Sequence, residues 1–187
     1  YFKMGLNHVL DFNAYDHILF LIVLAVVFSF NKFKKVVWLV TLFTIGHSTT
    51  LALAAFGVLS VNMKLVEFLI PVTIFITGTV NIFTAKQAAG GKHKINLVLA
   101  LLFGLIHGLG FSNYFKMMIG RGEDKILPLL EFSLGIEAAQ ILIVVGILLI
   151  GAVLQNILKV NKRDWILVCS SIVIGFAIQM MLNRIFW

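Results

Sequence analysis

The feature that most limits this chain is a succession of long, nearly uninterrupted apolar runs. A helix needs about 20 predominantly apolar residues to cross roughly 30 Å of hydrocarbon. Six stretches meet or approach that length: residues 14–30, 36–57, 65–85, 95–119, 127–155 and 165–186. The runs are continuous, not alternating, so they suit helices and disfavour the strands of a membrane barrel. A water-soluble domain is excluded by the same reasoning. Of the 187 residues 60% are hydrophobic and 12% charged, and the mean hydropathy is +1.04, which leaves too little polar surface to cover a core. The sequence therefore predicts an all-α polytopic membrane protein, one transmembrane domain over residues 1–187 with six spanning helices in one bundle. Residues 1–13 are too short and too polar to span, and they predict a short amphipathic helix at the interface. They lack the zoning of a signal peptide. Gly90-Gly91 and the pair Gly120 and Gly122 mark loops. The one cysteine, Cys169, rules out a disulfide framework, and nothing in the sequence supports a zinc finger.

The net charge of +7 does not make this a nucleic-acid binder, because its basic residues sit in short clusters between apolar runs. Lys32, Lys34 and Lys35 follow the first run, Lys86, Lys92 and Lys94 the third, and Lys159, Lys162 and Arg163 the fifth. At the opposite ends, Lys3, Lys64, Lys116, Arg121, Lys125 and Arg184 are diluted by Asp11, Asp16, Glu67, Glu123, Asp124 and Glu131. The positive-inside rule puts the three basic loops in the cytoplasm and both termini outside, which in a bacterium is the periplasm.

Ionisable residues within a span are costly and usually face the bundle interior with a partner. Here they are Asp16 and His17 at the start of the first span, His47 in the second, His107 in the fourth and Glu137 in the fifth. At 1.5 Å per residue, His47, His107 and Glu137 fall at one depth on three different helices, with Asp16 and His17 a turn or two above. Polar or small stripes turn the same way. Thr44 and Ser48 flank His47; Ser133, Glu137 and Gln140 share a face; Thr73, Thr77, Asn81 and Thr84 follow Pro71, which is expected to kink its helix; Gly104 and Gly108 bracket His107. Asp16 and His17 cannot point the same way on one helix, so one faces the cavity while the other caps the helix N-terminus.

Imidazole nitrogens with carboxylate oxygens are the donor set of zinc, nickel and iron. Each residue taken alone has a plainer reading: a membrane histidine commonly serves as an interhelical hydrogen-bonding group. His8 is equally consistent with an ordinary interfacial residue. His93 reads as solvated, Cys169 and the Ser170-Ser171 pair as packing, and Glu67 and Glu131 as charges at headgroup level. The shared depth of several such groups is what points to a site.

The segments Gly5-Leu-Asn-His8, Asp16-His17-Ile-Leu-Phe, Phe43-Thr-Ile-Gly-His47-Ser48-Thr-Thr-Leu51, Phe103-Gly-Leu-Ile-His107-Gly108-Leu-Gly-Phe111 and Phe132-Ser-Leu-Gly135-Ile-Glu137-Ala-Ala-Gln140 resemble the HupE/UreJ family of small bacterial membrane proteins, in a branch found in Bacteroidetes among others. The resemblance covers nearly the whole chain. It implies a nickel or cobalt permease of the bacterial inner membrane, with metal contacts at His8, Asp16, His17 and His107. Seven residues, Val9 to Tyr15, separate His8 from the Asp-His pair, more than in nickel-transporting members, and the motif around His107 is poorer in histidine than theirs. The resemblance thus implies a divalent metal ion and leaves nickel, cobalt and zinc open.

Two functions follow. In a metal-ion permease, His8, Asp16 and His17 collect the cation at the periplasmic mouth, and His47, His107 and Glu137 relay it across the midplane. In an intramembrane zinc-type metalloenzyme, three histidines hold a metal that activates water against a lipid or membrane-embedded bond, with Asp16 or Glu137 as base. A scaffold subunit that uses its polar core only for packing is the third alternative. The partners expected are the lipid bilayer and the metal ion; Gly104, Gly108 and Gly135 would serve intrachain packing or a homo-oligomer contact equally well.

Overall fold

The computed structural model describes residues 1–11, 14–87, 93–119 and 125–186. The loop glycines at 90–91, 120 and 122, with Lys92, Arg121, Glu123 and Asp124, lie outside the described residues. The described residues are helical almost throughout, in the order α1 (Phe2–Leu10), α2 (Asp16–Ala25), α3 (Phe33–Ala55), α4 (Met63–Thr84), α5 (His93–Met118), α6 (Ile126–Asn156) and α7 (Lys162–Asn183). Helices α3 to α7 are each long and apolar enough to cross a membrane. Their outward faces carry large apolar side chains such as Phe83, Leu130, Leu134, Leu142 and Ile172, a surface suited to hydrocarbon and not to water. The chain is a multi-pass membrane protein.

The helix expected over 14–30 is shorter. Helix α2 has ten residues, about 15 Å of rise, and the chain then turns through a bond from Phe28 N–H to the Ala25 carbonyl and a single 3-10 turn, Phe30–Lys32. A helix that stops inside apolar surroundings leaves carbonyls without intrahelical donors. One of them, on Val23, receives the Asn81 side-chain amide of α4 at 2.6 Å. Elsewhere the ends follow ordinary capping chemistry. Asn62 caps α4 by accepting from the Lys64 N–H at 3.0 Å, and Asn161 caps α7 through Arg163 N–H at 3.4 Å. Lys125 donates to the Ala55 carbonyl at 2.9 Å, placing a cation at the C-terminus of α3.

Two backbone-to-backbone contacts organise the bundle. Helices α3 and α5 meet through Gly46, Gly104 and Gly108. A Cβ on Gly104 would collide with the Phe43 carbonyl, and one on Gly108 with the His47 carbonyl. Thr50 adds a hydrogen bond to the Leu105 carbonyl at 2.8 Å. Helices α1 and α6 meet reciprocally, Gly5 against the Phe132 carbonyl and Gly135 against the Phe2 carbonyl. Van der Waals contact, not hydrophobicity, holds helices together in lipid, so these small residues set which pairs lie closest.

A helical glycine with open space around it is free to change. Gly104→Ala is expected to lower the stability of the detergent-solubilised protein by about 1–3 kcal/mol through overpacking. Gly146→Ala, with open space around the new methyl, should match the parent or exceed it. Thermal unfolding of both variants, followed by circular dichroism, checks the contrast.

Candidate metal centre

Four helices each contribute one imidazole. The close approach of α3 and α5 sets His47 and His107 in the interior, at 0% and 2% exposure. Helix α2 brings His17 from its first turn, also buried. Helix α1, seated on α6 through Gly5, delivers His8 from its last turn. The ring centroids of His8 and His17 lie 4.5 Å apart, those of His8 and His47 6.1 Å, and those of His17 and His107 5.6 Å. Ligand-capable nitrogens of His8, His17 and His47 all fall within 4.8 Å of one another.

These nitrogens are short of partners. Buried and without a hydrogen bond are Nε2 of His8, both ring nitrogens of His17, both of His47 and Nδ1 of His107. The Nε2 of His107 lies 3.4 Å from the Thr73 hydroxyl, at the long limit of a hydrogen bond. A buried polar atom left unpaired costs on the order of 1–3 kcal/mol, and a cation would give one nitrogen of each of His8, His17 and His47 a partner. Imidazole nitrogens around zinc stand about 3.3 Å apart at ordinary bond lengths, so small side-chain shifts would close these three on an ion. Burial pushes the His8 imidazole well below its ordinary basicity, and the neighbouring His17 and His47 push the same way. That favours the neutral form that binds metal.

The walls are aromatic. Phe20 packs on Phe43 and Phe103 at centroid distances of 4.9 and 6.0 Å, and His107 sits 5.2 Å from Phe43 and 5.5 Å from Phe20. Beside His8, Phe111 lies 4.0 Å away and stacks on Phe132 at 4.9 Å. One edge of His8 faces a cavity of about 560 Å³, lined also by Met4, Asn7, Asp11, Phe111, Tyr114 and Met118. A separate pocket beside Phe103, between α2 and α4, holds only about 10 Å³ next to Leu24, Thr77 and Asn81, room for roughly one water.

The two carboxylates predicted for the site take different places. Of the Asp16–His17 pair, His17 faces the cluster and Asp16 stays with the helix end, accepting from the His17 N–H at 3.0 Å. The same oxygen lies 3.0 Å from His17 Nδ1, close but off the line of a ring N–H bond. The other oxygen is 3.5 Å from the Arg184 guanidinium. Glu137 is outside the group of three. Thr41 donates to one of its oxygens at 2.6 Å and Thr44 to the other. Thr44 also bonds Gln140 at 2.9 Å, and Ser48 meets Ser133 at 2.6 Å. This polar seam joins α3 to α6 one turn from His47. Thr41 and Arg184 were not among the residues singled out from sequence. Thr41 stands three residues before Thr44 on the same face and was findable; Arg184 carried no local signal.

The sequence profile described as HupE / UreJ protein matches residues 1–184, and the chain belongs to that family, which is associated with nickel and cobalt transport. No curated protein matches the chain, and no solved structure does.

His47→Ala, which removes the most deeply enclosed of the three clustered imidazoles, is expected to weaken Co²⁺ binding by at least about 100-fold, the scale on which losing a ligand outweighs losing an orienting partner. The visible absorption of the purified protein titrated with Co²⁺ reads the change.

Proposed function

We propose that the chain is a divalent transition-metal permease of nickel or cobalt type, in the bacterial inner membrane, whose site opens toward the periplasmic side. The observation that carries this reading is the set of unpartnered, buried imidazole nitrogens beside an open cavity. On this reading the ion enters through the 560 Å³ cavity and meets His8 first. It is then shared by His17 and His47, with His107 next in line. Glu137 of α6, held by Thr41 and Thr44 one turn from His47 on α3, offers carboxylate oxygen as the following contact. Asp16 stands 3.0 Å from His17 Nδ1, where a small turn of the ring would give the carboxylate–histidine bond common at metal sites. The three imidazoles replace the hydration shell the ion must shed, and the phenyl walls exclude competing water. Transporters commonly bind near the midplane, where interrupted helices meet, and α1 and α2 are two short helices that end at this site.

The alternative, an intramembrane zinc-type hydrolase, draws on the same three histidines and on the size of the cavity. It needs a carboxylate free to take a proton from bound water. Both oxygens of Asp16 are engaged, by His17 and Arg184, and those of Glu137 by Thr41 and Thr44. Those engagements favour the permease. Zinc retained through purification together with hydrolysis of a lipid substrate would reverse the choice.

In proteoliposomes loaded with a metal-sensitive dye, the protein is expected to admit Ni²⁺ or Co²⁺, and His47→Ala to abolish the signal. Glu137→Gln is expected to keep Co²⁺ affinity within about threefold yet slow entry by about tenfold or more, since a contact used in passage acts on the barrier and not on the resting site. Uptake by the His47→Ala protein equal to that of the parent would refute the assignment.

A further inference from the structure

Arg184 is the residue at the site that the metal-binding reading leaves unused. It follows the last helical residue of α7, about one-third exposed, and its guanidinium reaches back over the start of α2 to the second oxygen of Asp16 at 3.5 Å. Its position has a cause in the backbone of α4. Pro71 lies inside that helix and lacks the N–H that would bond the carbonyl four residues earlier. That carbonyl belongs to Glu67, and Arg184 Nη1 donates to it at 3.1 Å. One planar side chain thus fills the hydrogen-bond vacancy made by a proline and holds the carboxylate beside a clustered histidine.

We propose that Arg184 is a tethered cation that sets the affinity of the metal site by keeping Asp16 out of the ion's coordination sphere. The inference rests on the metal-binding reading above. With Arg184 in place, Asp16 has His17 on one oxygen and the guanidinium on the other, and the charges of Asp16 and Arg184 offset each other beside the three imidazoles. Without it, the carboxylate loses its counter-charge and one oxygen is released beside His17, which the other oxygen already approaches to 3.0 Å at Nδ1, so a carboxylate can turn toward the cluster. Three imidazoles and a carboxylate hold first-row dications tightly. A site that must release its ion is served by the weaker set. A fixed positive charge close by also opposes an entering dication in surroundings where screening is poor.

Arg184 is a positioning residue on this account, and its test reads coordination as well as function. Arg184→Gln in the full-length, detergent-purified protein is expected to bind Co²⁺ about tenfold more tightly than the parent and to shift its visible spectrum as an oxygen donor joins the nitrogens. Arg184→Lys, which keeps the charge, should stay within about threefold of the parent and keep its spectrum. Entry of Co²⁺ into proteoliposomes should slow in Arg184→Gln, because release becomes harder. Unchanged or weaker Co²⁺ binding in Arg184→Gln, with the parent binding normally, overturns the role of Arg184 and leaves the metal site standing. Absence of Co²⁺ binding in the parent overturns the metal reading and this inference with it. Since the side chain is partly exposed and its loss leaves no buried cavity, the Gln variant should fold; a matching thermal transition establishes that.

Discussion

The backbone contact between α3 and α5 is the interaction on which the rest depends. Gly46, Gly104 and Gly108 bring no side chain of their own to the seam, so carbonyls of one helix rest close against the glycines of the other. His47 and His107 are neighbours of those glycines in sequence, and the close approach carries both rings inward at one level. A Cβ at the seam would have to push the helices apart, and the histidine cluster would open with them. Packing of the bundle and the arrangement of the histidines therefore depend on the same residues. The phenyl rings of Phe43 and Phe103 belong to this pair too, and they supply the dry wall below the histidines.

Against that rigid pair stand two helices too short to span. Helix α1 reaches the site from one side through its Gly5–Gly135 contact, and α2 begins there and runs the other way. The start of a helix carries a partial positive charge and unsatisfied N–H groups, which on its own repels a cation. Asp16 answers that problem locally by accepting the His17 N–H. The same oxygen stands 3.0 Å from Nδ1 of the ring that follows it. An Asp-His pair at a helix start thus places a carboxylate at the helix end and an imidazole in the cluster.

Much of this was legible in the sequence, and the parts that were not share a physical reason. Helix type and the approximate place of the long spans follow from continuous hydrophobicity, a local property. The common depth of His47 and His107 follows from rise per residue, and their inward aim from the small and polar residues beside them. The early end of α2 at Ala25 was invisible because residues 26–28 are as apolar as the helix they follow, and its stop is stabilised by Asn81 from a distant helix. The placement of His8 was equally hidden. Residues 1–13 read as interfacial on polarity, and only the pairing of Gly5 with Gly135 shows that α1 docks on α6. Which neighbours the Glu137 oxygens choose depends on helix rotation, to which the hydrophobic pattern of so uniformly apolar a helix is indifferent. Arg184 is the extreme case: its role is set by a proline more than one hundred residues earlier in the chain.

The free space near the histidines is uneven, which would constrain an ion on the permease reading. A cavity of about 560 Å³ adjoins His8, whereas the pocket between Phe103, Leu24 and Asn81 holds about 10 Å³. A divalent ion sheds its water only where ligands replace it, and phenyl rings are poor substitutes. On the permease reading, an ion moving past the histidines would meet Phe20 packed on Phe43 and Phe103, with the Thr41–Glu137 seam as the polar route beside it. The glycine contact makes separation of α3 from α5 costly, because it breaks backbone packing along the whole seam. Helix α2 carries Phe20 and is ten residues long; at its inner end it is held by Asn81 on the Val23 carbonyl and, beyond the turn, by Lys162 on Ser29 at 3.1 Å. Its outer end is held through Asp16 by Arg184. Few polar bonds need to change for α2 to tilt, and one of them belongs to the carboxylate beside His17. On the permease reading, loading of the site and any tilt of α2 would therefore act on the same short helix, through Asp16 at one end and Asn81 at the other.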